Sequence, residues 1–94
     1  MLETASLELE IDPNELGMLN VEPGVWVPYL DLYDAKLVPV RVTLGARAYV
    51  WNSSMLVKGH GALLPDKIRD LRAAGHDPLV VERGDRYYIY VAAA

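Results

Sequence analysis

Two apolar runs, residues 79–83 and 86–91, flank the dipeptide Gly84-Asp85 and constrain this chain more than any other feature. A two-residue loop that opens with glycine accepts positive φ and turns one strand back on the next as a β-hairpin. That loop sets Arg83 opposite Arg86, Val81 opposite Tyr88 and Leu79 opposite Tyr90. Because side chains alternate, those six share one face. Val80, Glu82, Tyr87, Ile89 and Val91 take the other. Both faces are rather apolar, and one of them must cover the core. β-Branched side chains pack well on a pleated surface, which assigns Val80, Ile89 and Val91 to the core.

The rest of the chain supplies that core. Leu7, Leu9 and Ile11 alternate with Glu8, Glu10 and Asp12 as a half-wet strand. Asp12-Pro13-Asn14-Glu15 has the cap, proline and reaching carboxylate of a helix start, and Gly17 and Asn20 hold that helix to one or two turns. Glu22-Pro23-Gly24-Val25 suits a type II turn. A meander follows, with strands at 25–33, 37–44 and 47–51 joined by a turn at 34–36 and by Gly45-Ala46. Residues 58–61 read as a loop. Pro65, Asp66 and the apolar stripe Leu64, Ile68, Leu71 predict the main helix over 65–74, stopped by Gly75. The expected fold class is α+β: a single small domain over 1–94, with a mostly antiparallel sheet of five to six strands. The main helix packs on one face, and a short N-terminal helix precedes the meander.

Composition narrows the chemistry. The chain has 94 residues, 52% of them apolar and 23% charged, which places it among folded domains. Without cysteine, a disulfide scaffold, a thiolate metal site and a thiol nucleophile are excluded. The net charge is −4, divided unevenly. Residues 1–46 carry eight acids against two bases, and residues 47–94 carry five acids against seven bases. A polyanion-binding surface over the whole molecule does not fit. The longest apolar run, residues 87–94, is far too short to span a bilayer, and the first six residues lack a basic leader pattern. Cytoplasm is the expected compartment, with no membrane partner.

With its aliphatic face inward, the terminal hairpin would present Leu79, Val81, Arg83, Arg86, Tyr88 and Tyr90 to another molecule. Tyrosine and arginine are enriched at binding hot spots, and two arginines directly opposed want a satisfying neighbour. The function expected is a non-enzymatic protein-binding module, such as a small adaptor, inhibitor or regulator. It would act through that face or through an edge strand, on another protein or on a second copy as a homodimer. The alternative is an accessory protein contacting nucleic acid through the basic second half, where Lys58, Lys67, Arg69, Arg72, Arg83 and Arg86 lie and Tyr88 or Tyr90 could stack a base. Lys58, His60, Lys67, Arg69 and Arg72 are the cationic set able to meet an anion. A third reading makes His60, between Gly59 and Gly61, the base of a small hydrolase with Ser53 or Ser54. No phosphate loop or paired histidine spacing is present, and no cofactor or metal is expected. Trp26 and Trp51, on separate strands, are expected to meet in the core.

Residues 64–91 (helix, Gly75, strand, Gly84, aromatic strand) resemble the helix-plus-hairpin of small RNA-binding toxin domains. Those domains place a histidine just after the hairpin glycine, where this chain has Asp85-Arg86. The resemblance covers under a third of the chain and implies no activity here.

Overall fold

The computed structural model describes residues 8–32 and 39–93. Alternating patterns and glycine turns lay down seven strands in them. These are β1 (Glu8–Ile11), β2 (Gly17–Glu22), β3 (Val25–Asp31), β4 (Arg41–Leu44), β5 (Arg47–Val57), β6 (Pro78–Arg83) and β7 (Arg86–Ala92). One helix, α1 (Leu64–Ala73), lies between β5 and β6, with Pro65 and Asp66 in its first turn. The protein is a small single-domain α+β fold with one main helix, as expected. The expected turn at 34–36, the first residues of the strand expected from 37, and the Ser53 and Ser54 side chains lie outside the described residues.

Four expectations are corrected. The sheet has seven strands among the described residues, not five to six, because Gly17–Glu22 is a strand. No N-terminal helix forms there. Asp12 caps a single 3-10 turn, Pro13–Glu15, by accepting from the Asn14 N–H at 3.0 Å. Leu19 and Val21 then alternate with Met18 and Asn20, and the Pro23-Gly24 turn (Gly24 at φ 82°) folds β2 onto β3. Pairing with a neighbour outweighs a cap signal four residues long. The sheet is mostly antiparallel, as expected, with β1–β4 and β3–β6 the parallel pairs. Finally, β5 continues through Asn52 to Val57 with a bulge between Trp51 and Ser54, and residues 58–63 form a 3-10 segment in place of a loop.

The strand order is β1-β4-β5-β7-β6-β3-β2, so β1 and β2 end opposite edges. Residues 12–16 alone join them. A flat sheet of seven strands is about 29 Å across, whereas the chain from Ile11 to Gly17 reaches at most about 21 Å. The sheet must curl. Its concave side holds one core of Leu30, Val42, Leu44, Tyr49, Leu79, Val81, Tyr88 and Tyr90, with Leu9, Ile11 and Leu16 packed against it. Its convex side holds a second, where Leu64 and Ile68 of α1 cover Val27, Leu56, Val80 and Ile89.

Candidate functional site

The terminal hairpin forms with the expected register: Leu79 pairs with Tyr90, Val81 with Tyr88, and Arg83 with Arg86. Val80 and Ile89 are fully buried beneath α1. The expected exposure of the opposite face is corrected. Leu79, Val81 and Tyr90 are fully buried, and Tyr88 is nearly so. The curl of the sheet brings β4 and β1 over them, a cover that local alternation cannot reveal. Tyr90 donates its hydroxyl to the carbonyl of Pro39. Burial pushes that phenol's pKa well above its ordinary value, with the Tyr88 phenol adding to the shift. Arg83 is half-buried and engaged within the chain. Arg86 stays exposed, its Nη1 3.7 Å from the Met55 sulfur and its Nε 3.8 Å from the Asp85 carboxylate.

The cationic set does not form one open patch. Lys58 pairs with Glu82 and sits 5.8 Å from the centroid of the Tyr87 ring. Arg69 reaches Glu22 at 3.0 Å and Asp66 at 2.9 Å, and Glu22 raises the guanidinium's already high pKa. Arg72 donates to the Trp26 carbonyl at 3.0 Å. Lys67 and His60 are exposed. Two of the five therefore fasten α1 to the β2–β3 hairpin. No group of three His, Cys, Asp or Glu gathers for a metal ion among the described residues. There, too, no helix is long and apolar enough to cross a membrane.

Among the described residues, the two most exposed large apolar side chains sit on that same hairpin. Trp26 and Trp51 do not meet. Trp51 packs edge-on to Tyr88 at 5.8 Å, while Trp26 is 53% exposed and Met18 56%. Register places Met18 beside Pro28 and Asn20 beside Trp26, all four on the face that continues the concave side past Leu30. Leu19 and Val27, the alternate residues, point to α1.

Backbone phase completes the site. In an antiparallel pair, residues alternate between bonding their neighbour and pointing away from it. Trp26 gives its carbonyl to Arg72, and Pro28 has no N–H to give to β2. The Asn20–Trp26 and Met18–Pro28 pairs are therefore the non-bonded ones. On β2, the last strand of the described sheet, the N–H and C=O groups of Met18 and Asn20 face outward.

Sequence reasoning missed Met18 and Trp26. The signal available was Trp26 two residues past the Pro23-Gly24 turn, opposite a strand with no charge before Glu22. No protein-family model, curated protein or solved structure matches the chain.

Proposed function

We propose that the chain is a non-enzymatic protein-binding module that accepts an extended segment onto the free edge of β2. One observation carries the reading: outward backbone groups of Met18 and Asn20 lie along an edge whose open face carries two large exposed apolar side chains. Strand addition draws affinity from main-chain hydrogen bonds and selectivity from the side chains beside the new strand. Trp26 supplies a broad, rigid anchor, and Met18 a thioether that adapts to the shape it meets. The edge-strand form of the expected protein-binding function is thus favoured over the tyrosine face, whose rings are buried. Nucleic-acid contact is less favoured, because Lys58 and Arg69 are already matched to carboxylates of the same chain.

The test is capture from the host by immobilised wild type and by a Met18→Lys/Trp26→Ser variant, with Lys67→Glu as control. A protein retained by wild type and by Lys67→Glu, and lost by the double variant, is the expected result. Binding to an apolar edge should also hold as salt is raised. Retention of nucleic acid that collapses with salt and with Lys67→Glu would reverse the assignment.

A further inference from the structure

We infer that the segment accepted by β2 is β2 of a second copy of this chain, antiparallel to the first about a two-fold axis at Leu19. The inference rests on the edge-binding reading above. It is carried by phase, charge and shape together.

Phase comes first. A two-fold axis perpendicular to the sheet keeps each face continuous, and outward groups must meet outward groups. Centring the pair on Leu19 sets Met18 of each copy opposite Asn20 of the other. Four hydrogen bonds then use every outward group of those residues. A slip of one residue sets Met18 against Leu19, whose groups are already spent on Val27.

Charge points to the same seam. The only ionisable residue of β2 is Glu22, held by Arg69 at 3.0 Å and lying beyond the Met18–Asn20 pairs. No like charges confront each other. The opposite edge differs: β1 exposes Glu8 and Glu10, which would bring carboxylates into any seam made with it. A β1–β2 contact between copies would be heterologous and build rings or filaments, whereas β2–β2 closes as a dimer.

Shape supplies the adhesive. In this register, each Met18 lies beside the other copy's Asn20 and diagonally across from the other copy's Met18. The two Trp26 rings continue the strip on either side. One short strand pair with four apolar side chains is a small interface, under about 1,200 Å² in total. The dimer is consequently weak and depends on concentration.

Sedimentation equilibrium of the full chain, from low micromolar to millimolar, reads the association directly. A monomer–dimer equilibrium is expected, weakened at least about tenfold by Met18→Lys, which puts an ammonium in the strip. The register has its own reporter. Non-bonded antiparallel pairs hold Cα atoms about 4.5 Å apart, within disulfide reach. The chain has no cysteine, so oxidised Leu19→Cys should run as a covalent dimer while Ala73→Cys, on the exposed end of α1, should not. If Leu19→Cys fails to fold, the double variant Met18→Cys/Asn20→Cys gives the same cross-link from exposed positions. A dimer indifferent to Met18→Lys and without the cross-link overturns the β2 seam. A chain that stays monomeric, yet captures a different protein lost with Met18→Lys/Trp26→Ser, overturns the second copy and leaves the edge reading standing. A monomer whose captures ignore both substitutions overturns both.

Discussion

The hairpins β2–β3 and β6–β7 are built alike and end differently. Each joins two strands through a glycine held at positive φ, Gly24 at 82° and Gly84 at 62°, and each carries large side chains on the concave side of the sheet. In β6–β7 those side chains are sealed; in β2–β3 Trp26 and Met18 stand half-exposed. Neither hydrophobicity nor turn chemistry separates them. Position does: β7 and β6 have neighbours on both sides, and β2 has one. A hairpin's aromatic face becomes core or contact surface according to what the rest of the chain lays across it.

Truncation should separate the two hairpins most sharply. Tyr90→Ala removes a fully buried ring from the concave core and should cost about 3–5 kcal/mol. Trp26→Ser removes a still larger side chain, but from the exposed edge, and should stay within about 0.5 kcal/mol. Urea unfolding of the two variants against wild type measures both. Equal costs would break the comparison, because Trp26 would then be holding the fold together.

A subtler change sharpens it. Tyr90→Phe keeps the ring and removes the hydroxyl that donates to the buried Pro39 carbonyl. The expected cost is about 1–2 kcal/mol. Alkaline pH supplies a second readout. Burial raises the Tyr90 pKa above its unfolded value near 10, so the folded chain holds a proton that the unfolded chain releases. The phenol's contribution is complete below pH 10 and is lost as pH rises toward the folded value. Tyr90→Phe should flatten that decline. An identical alkaline decline in both proteins would place its origin elsewhere.

Much of the fold was legible because its signals are local. Gly84-Asp85 fixed the register of β6–β7 residue by residue, and Pro65, Asp66 and Gly75 bounded α1 to within one position. The candidate site was not legible, for a physical reason. Period-2 alternation separates one strand face from the other but does not say which face is covered, and here both faces of β6–β7 are. The cover comes from β1 and β4, more than thirty residues away, brought over by the curl that the short 12–16 connection enforces. Asp12 and Pro13 do start a capped turn, yet pairing with β3 claims the residues beyond it. Local chemistry names a turn, while long-range pairing decides how far the element runs.

The smallest expected effects lie where α1 holds the edge hairpin, and they distinguish two kinds of fastening. Arg69 grips Glu22 through an exposed ion pair, and Arg72 grips the Trp26 carbonyl, a neutral acceptor. Exposed ion pairs add little to global stability and are screened by salt, whereas a hydrogen bond to a carbonyl keeps most of its strength. Global unfolding should barely register Arg69→Gln. Amide exchange at Leu19 and Val27, a pair that bonds β2 to β3, should nevertheless quicken while exchange at Val81 and Ile89 does not change. Raising salt on wild type should reproduce the Arg69→Gln pattern and leave the effect of Arg72→Ala intact. If salt erased both effects, Arg72 would be acting through charge, and its bond to Trp26 would no longer explain how β3 is kept in phase to leave the outer groups of β2 open.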